Sequence, residues 1–348
     1  MKNVQNKQVL YFFTLAWDEN NLLLSHTIDW IKCLASKVDE IVVIAPRINA
    51  SNVSDAKIKF EELGGGSFIK RTKIIVRLLF VLRMILLEKR EKMVFYHMIT
   101  YPAIILSPIF KIYRIKQGLW YSHQYADFGL RVAVNFVDVC FSTVRTSFPL
   151  KSSKLIELGH AIIAKHDFSS SMNRNGFIVL GRVARVKRIE DLFIAIRNLG
   201  GEQCKVDIWG PVEDAIYAQE LLQLSQKLAL DVEFRGILKL EQREVTLSRY
   251  HAIYSGTLGS VDKAPLEGAV QGCYVVASNV DTIVQSGMSH IYAGQIGTFD
   301  EKISLERQIK LCETIKEDKL SRREIAHLCR QKNRLEFLAE RIYQELVQ

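Results

Sequence analysis

The chain has 348 residues, of which 48% are hydrophobic and 24% charged, with 19 Gly and 6 Pro. That length predicts two domains with separate cores, and the composition excludes disordered, fibrous and linker-dominated chains. The net charge of +9 sits almost wholly in residues 1–150, where 20 Lys/Arg face 12 Asp/Glu, against 27 and 26 in the remainder; an anionic partner or surface is therefore expected on the first half only.

Val9–Leu15 predicts a strand and His26–Ser36 a helix, with apolar residues at 28, 31, 34 and 35. Asp18, Glu19 and two Asn follow the first apolar run without a small-x-small cleavage site, so no secretory leader is expected. Glu40–Ile44 reads as a strand ended by Pro46. Between Ile69 and Lys92, eight Lys/Arg stand against Glu88 and Glu91, while Ile74, Ile75, Leu78, Leu79, Leu82, Ile85 and Leu86 recur at helical spacing. A basic amphipathic helix of this kind suits an anionic membrane interface, with Lys70, Arg71 and Lys73 at its rim. It equally suits a crossover helix whose apolar face is core, and the two can coexist. Its greasiest part, Ile74–Leu87, is broken by Arg77 and Arg83 and too short to span a bilayer. No RNP, zinc or helix-turn-helix pattern accompanies the charge, so nucleic acid is not an expected partner. Val94–Tyr96, Gly118–Tyr121, Val139–Ser142 and Lys154–Leu158 predict further strands, with a helix at Tyr101–Tyr113.

Residues 166–176, HDFSSSMNRNG, form the best linker in the chain. Beyond it the alternation restarts: strand Phe177–Gly181, helix Ile189–Leu199, strand Lys205–Trp209, helix Ala215–Ala229, strand Val232–Arg235. A helix at 240–248, strands near 252–255 and 274–277, and a helix from Pro265 to Gln271 follow, then a charged helical end. The expected division is 1–165, the 166–176 linker, 177–330, and a terminal helix over 331–348. Strands alternating with helical crossovers make this α/β, two Rossmann-like units in series whose strand carboxyl ends face a cleft. The six Cys, at 33, 140, 204, 273, 312 and 329, form no CxxC and no Cys/His cluster, so reduced thiols are expected, not a disulfide scaffold or structural zinc.

The chemistry concentrates between Gly181 and Ser278. A strand runs into Gly181-Arg182, with Lys187 five residues on and a helix next. Glycine permits close backbone approach, and an Arg fork with a Lys point charge suits a diphosphate; alone, the same turn also fits a solvated loop. The second part is Gly259-Ser-Val-Asp262-Lys263-Ala264-Pro265-Leu266-Glu267. Pro265 suits a first helical turn, whose backbone N–H groups would face an anion. Glu267 could accept from two sugar hydroxyls, or could simply be an acid favoured by the helix dipole.

In this order and spacing, the two parts resemble the nucleotide-sugar half of family 4 glycosyltransferases, whose pattern is G-R-x4-K, a helix, then E-x7-E before a Gly and an apolar strand. Gly181, Arg182 and Lys187 match the first motif and Glu267 the second Glu. Leu180-Gly-Arg-Val, Ile208-Trp-Gly210, Val232-Glu-Phe-Arg-Gly236 and Leu266-Glu-Gly-Ala with Val-Val-Ala-Ser278 extend the likeness across the second domain. The first Glu of the pair is Gly259 here, and Asp262 is the nearest acid, a variant donor-sugar contact. The resemblance implies the GT-B fold, with Gly181, Arg182, Lys187, Gly236, Ala264, Leu266 and Glu267 holding a nucleotide-diphosphate-sugar, and with Arg182, Lys187, His123 and Asp262 at the chemistry. The donor is a substrate, so no cofactor is expected.

The first domain is similar more faintly, at Ser25-His26-Thr-Ile-Asp-Trp-Ile, Trp120-Tyr-Ser-His123, Ser147-Phe-Pro149 and Gly159-His160-Ala-Ile, which look like blocks of bacterial polysaccharide-type members. His123 would contact the donor sugar or an acceptor hydroxyl; a strand-end His satisfied by backbone is the plainer reading. His160, His26 and His97 carry weaker claims. No HExxH or Asp-x-Asp is visible, and in the GT-B enzymes it resembles, Arg, Lys and helix N-termini neutralise the leaving diphosphate in place of a metal. The expectation is a metal-independent, retaining glycosyltransferase serving cell-surface polysaccharide assembly. It would act on a carbohydrate, lipid-linked acceptor, in the cytoplasm, peripheral on the inner face of the membrane. The competing reading is a non-catalytic GT-B partner subunit, for which Gly259 speaks. A third keeps the fold but changes the reaction, to an epimerase or a phosphorylase.

Overall fold

The computed structural model describes residues 7–18, 25–49, 55–64, 68–164, 174–201 and 204–348, with backbone alone at 25–26 and 68–73. His26, Lys70, Arg71 and Lys73 thus lie outside the described side chains, as does most of the 166–176 segment. Two compact units result: residues 1–161 with 335–348, and residues 162–334.

The first unit is a seven-stranded parallel sheet of β1 (Gln8–Phe13), β2 (Glu40–Ala45), β3 (Ile58–Glu62), β4 (Glu91–His97), β5 (Lys116–Trp120), β6 (Val139–Ser142) and β7 (Leu155–Glu157), in the order β3-β2-β1-β4-β5-β6-β7. The central strands are near-continuous apolar runs because both faces are covered. Alternate residues serve opposite cores. Leu10, Phe12, Ile41 and Val43 pack with Ile31 and Leu34 of α1 (Ser25–Ala35) on one face. Val9, Tyr11, Phe13, Val42 and Ile44 pack on the other with α2 (Phe68–Leu87), α3 (Tyr101–Ile112) and α4 (Phe128–Phe136). Trp17–Asp18 and Ile48–Asn49 form a separate two-residue parallel pair.

The second unit is a five-stranded parallel sheet of β8 (Phe177–Leu180), β9 (Lys205–Trp209), β10 (Asp231–Gly236), β11 (Ala252–Ser255) and β12 (Tyr274–Ala277), in the order β10-β9-β8-β11-β12. Its crossovers are α5 (Ile189–Asn198), α6 (Ala215–Lys227), α7 (Arg243–Leu247) and α8 (Lys263–Val270). Four more helices follow: α9 (Val280–Ser286), α10 (Met288–Ile296), α11 (Leu305–Thr314) and α12 (Lys319–Asn333). The chain direction across the sheet reverses at β8, so loops leaving β8 and its neighbour β11 diverge there. In open α/β sheets that switch point is where ligands bind.

One expectation is corrected. The end of the chain is not a single helix over 331–348: α12 ends at Asn333 within the second unit, and α13 (Leu335–Val347) belongs to the first. There Leu335, Leu338, Ala339, Ile342 and Leu346 join the core beside α1. Tyr343 Oη donates to Gln8 Oε1 at 2.8 Å, and Lys37 pairs with Glu340.

Candidate active site in the second unit

Two backbone loops meet at the switch point because glycines let them. Gly181 (φ +146°) ends β8 and Gly210 (φ +149°) ends β9. A Cβ on Gly210 would stand 1.8 Å from the Gly181 carbonyl oxygen, so no other residue fits. The Gly210 N–H donates to the Gly236 carbonyl at 2.7 Å and the Gly181 N–H to Trp209 at 2.8 Å, which locks the ends of three adjacent strands together. Gly236 therefore supports the site as backbone.

The loop after β8 makes a tight turn at 185–187 and enters α5 through Arg188, held in the left-handed region at φ +46°. That costly conformation is fixed by Tyr254 Oη, which donates to the Arg188 carbonyl at 2.8 Å, and by Arg188 Nε, which donates to Asp191 at 2.7 Å. Gly256 seats against the same turn, since its Cβ would lie 2.3 Å from the Lys187 carbonyl oxygen. The loop after β8 is thus sewn to the loop after β11.

Lys187 Nζ donates to Asp262 Oδ2 at 2.6 Å and to Thr257 Oγ1 at 3.3 Å. The same carboxylate oxygen accepts from Thr257 Oγ1 at 2.8 Å and Ser255 Oγ at 3.2 Å. Asp262 is the N-cap of α8, yet its side chain makes no capping bond to that helix. Lys187 lies over Gly181, its Cε 3.5 Å from where a Cβ would be. Arg182, by contrast, points to Glu213, donating from Nη1 to Oε1 at 2.9 Å and Oε2 at 2.7 Å, with both side chains about half exposed. Asn279 Nδ2 donates to the Leu258 carbonyl at 2.9 Å, pinning the loop that leads to Asp262.

Glu267, one turn into α8, accepts from Arg243 Nη1 at 3.1 Å and lies 3.7 Å from Lys263 Nζ. The α8 helix packs so closely on β11 that a Cβ on Gly268 would lie 2.8 Å from Ile253. At its far end, Arg174 and Arg322, both buried, donate to the carbonyls of Gln271 (2.6 Å) and Gly272 (2.9 Å).

No protein-family model matches the sequence, and no curated protein does. Solved structures do match. A glycosyltransferase from Rickettsia africae ESF-5 aligns over 99% of this chain and 99% of its own, with TM-score 0.70 and 12% identity. Anabaena Alr3699/HepE, solved with UDP and glucose, aligns over 98% and 100%, with TM-score 0.69 and 12% identity. WaaG, a glycosyltransferase involved in lipopolysaccharide biosynthesis, aligns over 96% and 98%, with TM-score 0.59 and 10% identity. The fold is GT-B.

Within this GT-B chain, Gly181, Arg182, Lys187, Gly236, Asp262, Ala264 and Glu267 all lie on the second unit, around the carboxyl ends of β8 to β11 and the start of α8. Leu266, on the same helix, has its side chain wholly buried in the core. His123 belongs to the first unit. It is exposed on the loop after β5, its Nδ1 accepting from the Tyr125 N–H at 3.2 Å. His97 is buried against Phe12 and Trp30, a core position. Among the described residues no three His, Cys, Asp or Glu side chains gather as metal ligands. The motif reading missed Ser255, Thr257, Glu213 and Arg243. A Ser-Gly-Thr string closing an apolar strand is a legible signal for the first two; Glu213, on the loop after β9, and Arg243, at the start of α7, have none.

Proposed function

We propose that the chain is a family 4, retaining glycosyltransferase that moves a sugar from a nucleotide-diphosphate-sugar to a carbohydrate, lipid-linked acceptor in cell-surface polysaccharide assembly. The observation that carries the reading is the meeting of Lys187, which lies over Gly181, with Asp262, the N-cap of α8. Positive charge stands there beside a backbone without a Cβ and close to the first turn of a helix, the setting a diphosphate needs. HepE is described in complex with UDP and with UDP-glucose, and WaaG and WaaB act in lipopolysaccharide synthesis, which supports a uridine-type donor and a polysaccharide setting.

In this reading Lys187 and Arg182 take the diphosphate, leaving Asp262 and Glu213 for it. Glu267, oriented by Arg243, accepts from the ribose hydroxyls. Asp262, released from Lys187, reaches the sugar in the role the family gives to the residue that is Gly259 here. These cations supply the charge stabilisation, so the reading is metal-independent. The acceptor hydroxyl attacks the face the nucleotide leaves, a diphosphate oxygen takes its proton, and catalysis rests on positioning and electrostatics. His123 would serve acceptor or sugar from the first unit, and a lipid-linked acceptor places the enzyme in the cytoplasm at the inner face of the membrane.

Thermal-shift measurements with UDP, GDP and their sugars test the donor, because a ligand that binds only the folded state raises its apparent stability. A shift with a nucleotide-sugar and none in Lys187→Ala supports the site. The second reading, a partner subunit without donor chemistry, is favoured by Gly259; the absence of any nucleotide shift would establish it over the enzyme.

A further inference from the structure

One peptide unit beside the candidate site is gripped at both ends. The carbonyl of Arg188 accepts from Tyr254 Oη at 2.8 Å, and the N–H of the next residue, Ile189, donates to Tyr217 Oη at 2.8 Å. The two phenols come from different elements, Tyr254 from β11 and Tyr217 from the first turn of α6. Each tyrosine is 2% exposed. Tyr217 gives its own proton to the Glu190 carboxylate, so its oxygen meets Ile189 as an acceptor. Gly256 completes the enclosure, since a Cβ there would lie 2.6 Å from Tyr254 Oη and 2.9 Å from Arg188 Cβ.

The grip falls on the residue that bears a conformational cost. Arg188 lies at φ +46°, ψ +49°, where an L side chain crowds the following carbonyl and glycine is the usual occupant. Its guanidinium is engaged by Asp191 of α5. Rotating the Arg188–Ile189 peptide would return Arg188 to an ordinary region and redirect the chain before it. Lys187 is the residue directly before, last in the tight turn at 185–187, with its ammonium 2.6 Å from Asp262 and its stem over Gly181. The Lys187 side chain is only 17% exposed, so the place of its ammonium follows the backbone at 188.

We infer that Tyr254 and Tyr217 are positioning residues for Lys187: together they hold Arg188 left-handed and so deliver the ammonium to the place a donor's diphosphate takes. Neither phenol touches the donor in this role. A costly backbone conformation persists where its surroundings over-determine it, and here two buried phenols and one glycine do so. The gain is a cation already in place when negative charge arrives, with no reorganisation at that moment. The inference rests on the diphosphate role proposed above for Lys187.

The test is calorimetry of the full chain with UDP and with uridine, which lacks the diphosphate. The ratio of the two affinities reads the phosphate contacts, and a general loss of stability does not move it. Tyr254→Phe should lower UDP affinity roughly tenfold and leave uridine affinity unchanged, since holding one residue left-handed costs about as much as a tenfold shift in population. Tyr217→Phe should act in the same direction, and it carries the test if Tyr254→Phe does not fold. In an Arg188→Gly chain the left-handed conformation has no steric cost, so adding Tyr254→Phe should change the ratio by less than about threefold. A merely structural phenol would show no such coupling. Melting temperature is read on every variant. A ratio unmoved in both folded phenylalanine variants, or an equal fall in the Arg188 and Arg188→Gly chains, overturns the inference and leaves the donor site standing. If Lys187→Ala keeps the parental ratio, or the parent binds no UDP, the diphosphate role of Lys187 falls first and takes the inference with it.

Discussion

Asp262 Oδ2 takes three donors at once, Lys187 and the hydroxyls of Ser255 and Thr257, so the ammonium that would meet a diphosphate is already oriented before any ligand arrives. Lys187→Ala and Arg182→Ala should each lower transfer by roughly 100-fold or more without unfolding the chain, because each removes a cation that the proposed reading gives to the developing negative charge, Arg182 after leaving Glu213. Turnover near the parental rate in the folded double variant would sink the assignment. Asp262→Asn keeps the shape while leaving Lys187 unneutralised; it should spare binding of the free nucleoside diphosphate and depress transfer, separable by calorimetry and rate. Glu267→Gln replaces one acceptor with a donor, and donor affinity should fall by about 1.5–3 kcal/mol.

His251, outside the site, sets a pH limit. Arg322 Nη2 donates to its Nδ1 at 2.8 Å, and Glu313 Oε1 stands 3.3 Å from Nε2. Burial first, then the nearby Arg322, Lys316 and Arg174, lower its pKa from 6.5 to about 3. The unfolded chain therefore binds this proton at higher pH than the folded one. The stability contributed by the neutral ring is complete above pH 6.5 and is lost as pH falls toward 3. Between pH 7 and 4.5, the urea midpoint of the parent should fall more than that of His251→Asn, whose carbonyl can still accept from Arg322. Parallel curves would remove His251 as the cause.

At the scale of elements, α8 is where the site and the stability of the second unit meet. Its N-terminal turns carry Asp262 and Glu267, its middle presses Gly268 on β11, and the carbonyls just past its end, on Gln271 and Gly272, are held by two buried guanidiniums. Gly268→Val should lower stability by about 1–3 kcal/mol through overpacking, read by chemical denaturation. Donor binding should weaken with it, because a displaced α8 carries Glu267 along.

The same element shows what sequence alone reveals. Apolar runs mark β8, β11 and β12 because buried parallel strands must be continuous and greasy. The α8 helix begins at Lys263, two residues before Pro265, since proline is tolerated anywhere in a first turn where no N–H is required. By contrast β3, Ile58–Glu62, is masked by Lys59, Glu61 and Glu62: an edge strand with one pairing partner can carry charge on alternate positions, so it shows no apolar run and only a short alternation of Ile58 and Phe60. Likewise, the G-R-x4-K spacing was legible, but the Glu213 that holds Arg182 and the Arg243 that holds Glu267 were not. Those pairings exist only after β9, β10 and α7 are brought alongside.

For the whole molecule, the decisive feature is that the chain enters the second unit once and then returns. Ile162 bridges Arg334, and the Ile162 N–H donates to the Asn333 carbonyl at 2.8 Å, so the outgoing and returning segments run side by side. The α13 helix then closes one face of the first sheet; a Cβ on Gly118 of β5 would already meet Leu346 at 3.1 Å. This reverses the usual order of events during synthesis, in which the first domain to emerge folds first. All seven strands of the first unit are made by residue 157, yet the helix that completes their core, α13, is made only after the whole of the second unit. Until then the core that Phe141, Phe95 and Trp30 share lacks Leu335, Leu338, Ala339, Ile342 and Leu346. The second unit, whose segments end at residue 334, can therefore close before the first unit holds all of its core.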